Sequence, residues 1–303
     1  MAFAQGSRSR LAYGVETTFG TAASTYTNLP FNTHSLNLTK DRVAGNEIQP
    51  DRMPRVDRHG NRQTGGDLVV DLRDGDYDDL IASAMLSDWS SDVIKVGTTP
   101  KFLTLEDYAS DIDQARLFTG MAVNTMAVSM APNQMVTGTF GMVGKDMTIS
   151  ATEKTVSAAS GAAPFDAYSG DLAIGNVGGS SAIAIVTGMD FTLTNSFAPT
   201  FVIGDDSAPS LEYGRAEVEG SLTAYFEDAA LINRFINETE TEIEVSVADP
   251  AGNTYTFLFP RVKINSADVG VDGPTSRIIN MSFVALYDST EGTNLSITRP
   301  ATV

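Results

Sequence analysis

The sequence contains no cysteine in 303 residues, which removes disulfides, thiolate nucleophiles and thiolate metal sites together. Stability has to come from packing or from assembly. Histidine occurs twice, as His34 and His59. Both lie in polar, loop-like stretches and read as surface residues; alone they supply neither a metal site nor the base of a triad. Tryptophan occurs once, as Trp89 just after a helical segment, where it reads as a packing residue. No apolar run approaches the roughly 20 residues needed to cross a bilayer, and the longest, Ala182 to Val186, leads to the expectation of no membrane association. The opening Met1 to Arg8 has no apolar run after its basic residues, so no secretory signal is read and synthesis is expected in the cytoplasm. Positive charge is also scarce: 20 Lys and Arg against 38 Asp and Glu give a net charge of −18. Such a chain is poorly suited to gripping nucleic acid, because that affinity comes largely from Lys and Arg displacing counterions from phosphate. It suits plain solubility, or a surface past which a polyanion must slide, since acids repel phosphate over about a Debye length, ~8 Å at physiological salt.

What is present is alternation. Short runs of apolar and polar residues, bounded by Gly, Pro, Asn and Asp, give the period of two expected of half-buried strands. Ser35–Thr39, Asp67–Leu72, Asp190–Thr194, Glu217–Phe226, Glu242–Val247, Tyr255–Phe259 and Met281–Tyr287 all read this way, so the chain is mainly β. Two segments break the period and read as helices, 74–86 and 227–236, each directly after a strand and with acids in its first turn.

The elements also repeat. Ser35–Thr39 matches Asp190–Thr194, Gly66–Leu72 matches Gly220–Phe226, and a helix follows in both copies. Further on, Phe118–Asn124 matches Phe259–Asn265, Pro132 matches Pro274, and Thr139–Met142 matches Ser282–Ala285. Two tightly associated β-domains, 1–155 and 156–303, are the expected organisation. The small-residue, Pro-bearing stretch Ser157–Pro164 has the composition of a linker or exposed loop between them. Lys40 to Gly66 shows no strand period and reads as an extended arm. It concentrates Arg42, Arg52, Arg55, Arg58 and Arg62 on an acidic chain, and its own interspersed acids make a neighbouring acidic subunit a better target than DNA.

No catalytic constellation emerges. Asp74, Asp76 and Asp78 resemble the start of a calcium loop, but Asp79 replaces the turn glycine and Met85 the final glutamate, and helix capping accounts for them better. Gly175–Ser181 lacks the lysine of a phosphate loop. The sequence therefore leads to no catalytic, cofactor-binding or metal residues, and to no cofactor.

At this point a family resemblance enters. Arg10–Thr21, then Asn46–Arg52 ahead of Gly65–Leu68, and finally Phe259–Val269 with Phe283–Asp288 resemble, in that order, the tail tube proteins of long-tailed, non-contractile bacteriophages. The resemblance implies a structural, non-enzymatic virion protein with a β-sandwich tail-tube fold and flanking helices, whose inner strands join into a lumen β-barrel when rings assemble. It implies stacking into the tube through which the genome is ejected. The expected partners are other copies of the chain, a tape measure protein and phage DNA in the lumen, and tail terminator and tail tip proteins at the ends. Such rings usually hold six copies of the fold, so a duplicated chain implies a trimeric ring with pseudo-sixfold symmetry, a hexamer of chains being the alternative. Strand acids Asp67, Asp71, Glu217, Glu219, Glu242 and Glu244 are candidates for the lumen, although a solvated outer face explains the same pattern. Arg42, Arg52, Arg55, Arg58 and Arg62 are candidates for an inter-subunit arm. The rival reading is a β-sandwich receptor- or carbohydrate-binding virion module.

Overall fold

The structure is a computed structural model and describes residues 3–51, 53–182, 186–271 and 273–301. Strands of seven residues or more fall into two sets. The first half contains β1 (Ser9–Val15), β2 (Asn37–Ala44), β3 (Asp57–Asp71), α1 (Asp78–Met85), β4 (Leu103–Ala109), β5 (Gln114–Met130) and β6 (Thr137–Gly144). The second contains β7 (Asp166–Asn176), β8 (Val186–Thr194), β9 (Glu217–Tyr225), α2 (Ala230–Ile236), β10 (Thr241–Ala248), β11 (Thr254–Val269) and β12 (Ile278–Ala285). The chain is mainly β, as its alternation implies. On β9, for example, Val218, Leu222 and Ala224 are buried while Glu217, Glu219 and Ser221 are exposed.

Pairing runs in the same order through both halves, and every pair is antiparallel. The first half reads β2–β3–β6–β5–β4–β1. The second reads β8–β9–β12–β11–β10–β7. Registers agree as well: Gly66 lies opposite Met142 and Gly220 opposite Phe283. The register of β5 against β6 breaks at Asn124, and that of β11 against β12 breaks at Asn265. These landmarks set Met142 beside Phe283, two residues from the match read in the sequence. A slip of two keeps every side chain on its face, so the hydrophobic pattern cannot detect it.

The two glycines share a steric reason. A Cβ on Gly66 would sit 2.5 Å from the Ser35 carbonyl oxygen, and one on Gly220 would sit 2.5 Å from that of Asp190. Gly66 also has φ near +139°, which side-chain-bearing residues rarely adopt. Gly66→Ala is expected to cost about 1–3 kcal/mol, read as a lowered denaturation midpoint, whereas Gly252→Ala meets no atom within 4 Å and adds only backbone strain at φ +91°.

The halves join where the second part of β5 pairs with β8, Leu193 opposite Met126 and Thr194 opposite Thr125. One antiparallel sheet of eight strands results, in the order β2–β3–β6–β5–β8–β9–β12–β11. The first parts of β5 and β11 bend away from it and carry β4 with β1, and β10 with β7, into a second layer. Aromatic rings interlock the layers: Phe191 of β8 lies 5.3 Å from Phe257 and 5.1 Å from Phe259 of β11, and Phe259 lies 5.7 Å from Phe283 of β12. The main core extends from Leu11 to Ile297, so both halves share it.

Four local expectations are refined or corrected. First, α1 starts at Asp78, and the acids before it do not cap it: Tyr77 is at the N-cap, and Asp76 instead accepts the Ser160 N–H at 2.6 Å. Asp78 and Asp79 do lie in the first turn of α1, as expected, whereas α2 starts at Ala230 with no acid in its first turn. Second, Ser157–Pro164 is exposed but pinned to the first half, ending where Phe165 N–H donates to the Leu72 carbonyl at 2.8 Å. Third, residues 40–66 are not an extended arm without strand structure but the far end of the β2–β3 hairpin, with Lys40 opposite Arg62 and Arg42 opposite His59. Both faces of that ribbon are solvated, so no apolar alternation marks it. Fourth, His34 is half-buried, its Nε2 3.6 Å from an Asp107 oxygen, while His59 is exposed as expected. Burial tends to raise the Asp107 carboxyl, and the nearby His34 with the hydrogen bonds from Arg116 outweigh it and hold it below its ordinary value.

Candidate assembly surfaces

The eight-stranded sheet has one buried face and one open face, because every strand in it but β2 alternates where it pairs. Buried positions include Leu68, Val70, Phe140, Met126, Val128, Phe191, Leu193, Val218, Leu222 and Phe283. The open face is lined by hydroxyls and acids. Asp67 and Asp71 come from β3, Glu217 and Glu219 from β9, with Thr137, Thr139, Thr125, Ser129, Thr192 and Ser221 between them. Hydrogen bonds hold several in place: Asn32 donates to Asp71 at 2.8 Å, Ser266 and Ser282 pair at 2.7 Å, and Arg215 binds Glu217.

Two more acids belong here that the sequence reading passed over. Asp190 sits where β5, β8 and β9 meet, accepting from Ser129 at 2.5 Å and from Ser221 at 3.4 Å. Asp268 lies exposed on β11 at the sheet edge. The alternation Asp190-Phe191-Thr192-Leu193 already placed Asp190 opposite the core, so that signal was in the sequence. A cation on the same face, Lys263, is bound to Glu238 at 2.8 Å, and that bond holds the Glu238 carboxyl below its ordinary value.

Glu242 and Glu244 do not share this face. They lie on β10, in the second layer, whose buried residues Ile243, Val245 and Val247 point back toward the first. The two carboxylates therefore point away from the other four acids, which corrects their grouping. Alternation within a strand says which residues share a side of that strand; it does not say which layer the strand joins.

The hairpin tip formed by residues 43–58 is the second surface. Val43, Ile48, Met53 and Val56 are large apolar residues left exposed there, Ile48 at 99 %. Arg42 binds Asp57 at 2.8 Å, Arg55 binds Asp51, and Arg58 is exposed. Arg52 lies outside the described residues. Arg62 stands apart: its guanidinium reaches Asp146 at 3.2 Å and Asp206 at 3.3 Å, so it braces the base of the hairpin within the chain.

Residues 6–285 match the family model for phage tail tube proteins. The chain belongs to the phage tail tube protein family. It is thus a structural component of a bacteriophage virion tail, from a family that is not one of enzymes. No curated protein matches the sequence. Among solved structures, similarity is found to a chain of the cryo-EM structure of the anti-feeding prophage baseplate, 6-fold symmetrised, at 11 % identity and a TM-score of 0.27, covering 38 % of this chain and 85 % of that one. In this tail tube protein no described helix is long and apolar enough to cross a membrane. The acids resembling a calcium loop serve structural bonds, Asp78 accepting from Tyr255 at 2.5 Å and pairing with Arg299, whose guanidinium lies 4.6 Å from the Trp89 ring centre. The Trp89 indole N–H donates to the Asp78 carbonyl at 3.0 Å, which makes it a packing residue.

Proposed function

We propose that the chain polymerises as stacked rings into the tube of a non-contractile tail, with the open face of the eight-stranded sheet turned inward to the passing genome. The observation that supports this most is the sheet itself. It is long, continuous and antiparallel, closed neither on itself nor by other described strands at its ends, with one face packed and the other lined by acids and hydroxyls. An open edge invites pairing with another chain, and closure into a barrel removes that liability.

The domain organisation proposed with it is a tandem duplication, 1–155 and 156–303, packed as one body on a shared core. Each copy supplies four strands to the sheet, so three chains per ring present six equivalent sets. On this reading the hairpin tip, with its exposed apolar residues and arginines, docks on an adjacent subunit or ring. The tape measure protein and DNA occupy the lumen, and terminator and tip proteins close the ends. Electron microscopy of the purified protein tests the assembly: stacked rings with threefold symmetry are the expected result, and persistent monomers, or rings of six identical chains, would refute it.

For the lumen, combining Asp67→Lys, Asp190→Lys and Glu219→Lys is expected to leave tubes intact and slow genome release several-fold. Fixed cations would hold the phosphates that the native acids repel. The slowing should shrink as salt is raised. Release at the native rate from such virions would remove these acids from the channel.

A further inference from the structure

The seam inside the chain joins the edges of the two strand sets. In the first half, β5 has β6 on one flank and β8, the first strand of the second set, on the other. In the second half, Lys263–Val269 of β11 has β12 on one flank and no described strand on the other. At the opposite end of the sheet, β2 pairs with β3 and leaves its outer flank without a described strand. β2 stands to β3 as β8 stands to β9: Leu38 faces Thr64 next to the Gly66 position, and Leu193 faces Val218 next to the Gly220 position. β11 stands to β12 as β5 stands to β6, with the bulge at Asn265 in place of that at Asn124. We infer that β11 of one chain pairs antiparallel with β2 of a second copy, in the register of the β5–β8 seam. This inference rests on the ring reading above and specifies its joint.

The register follows residue by residue. Within the chain, Thr194 lies opposite Thr125, Leu193 opposite Met126 and Thr192 opposite Ala127. Carried to the equivalent positions, Thr39 lies opposite Ser266, Leu38 opposite Ala267 and Asn37 opposite Asp268 of the neighbour. Strand direction is consistent: each set contributes four strands, an even number, so β11 meets the next β2 in the same sense as β5 meets β8. Burial points the same way. Leu193 and Met126 are 0 % and 1 % exposed at the internal seam, while Leu38, Ala267 and Val269 at the free edges stay half-exposed. Pairing would cover them and satisfy the edge amides and carbonyls that now face solvent.

The absence of cysteine makes the test direct. Chains carrying Thr39→Cys with Ser266→Cys, Leu38→Cys with Ala267→Cys, or Asn37→Cys with Asp268→Cys should form intermolecular disulfides on oxidation of assembled protein, because directly opposed residues in antiparallel strands lie about 4.5–5.5 Å apart. At least one of the three pairs should give a ladder of covalent multimers. The pair Asn37→Cys with Ser266→Cys, displaced by two residues, should not. In unsubstituted protein, hydrogen exchange of 37–40 and 263–269 should slow on assembly. Rings that form without cross-linking, with both edges exchanging as in the free chain, would overturn the inference and leave the ring reading standing. Unsubstituted protein that never forms rings would overturn both.

Discussion

Changing Val43, Ile48, Met53 and Val56 together to Ser, with Arg58→Glu, is expected to abolish tube formation while leaving the chain folded. All five side chains are exposed on the hairpin tip. Substitutions at such sites usually change stability by no more than about 0.5 kcal/mol each, so circular dichroism and the melting temperature should stay close to native. Their contribution lies outside the chain. Four large apolar side chains on one solvated ribbon form the kind of patch that a folded surface keeps for a partner, and the nearby arginines suit an acidic one. Electron microscopy should then find single chains or isolated rings where the native protein gives tubes. Tubes of normal length would show that the tip docks on nothing. Arg62 is left out of this set because it binds Asp146 and Asp206, and reversing it would place like charges together within the fold.

The second large effect concerns stability. Phe191→Ala is expected to lower the free energy of unfolding by about 3–5 kcal/mol, the range for deleting a fully buried aromatic side chain. Phe191 is 1 % exposed, touches Phe257 and Phe259 across the layers, and sits on β8 at the seam between the halves. Its loss opens a cavity where the two layers and the two halves meet. Phe201→Ala, at a residue 36 % exposed, should cost well under half as much. Equal shifts of the two urea midpoints would refute the assignment of Phe191 as the interlocking residue.

Much of the architecture was legible in the sequence because alternating strands state their own periodicity. Glu217 to Phe226 and Glu242 to Val247 fall on β9 and β10, and the equivalence of Ser35–Thr39 with Asp190–Thr194 is the one the pairing registers define. Three things were hidden for separate reasons. The far end of the β2–β3 hairpin is solvated on both faces and shows no period. The layer of a strand depends on where β11 bends, which no single strand records, so Glu242 and Glu244 were grouped with acids on the opposite side. The exact match of β6 to β12 is invisible to a pattern of period two, and only the bulges at Asn124 and Asn265 fix it.

The two copies differ most in the link between their first two sheet strands. In the first it is the long hairpin tip; in the second it is a segment bearing the short ribbon Ala198–Thr200 with Ser210–Glu212. In a wall built from duplicated chains, a projecting tip therefore alternates with a blunt corner around the circumference. Successive tiers that interlock through such tips have half as many equivalent angular settings as a wall of uniform units would offer. In such a wall the duplication would restrict the pitch of the tail as well as close its bore.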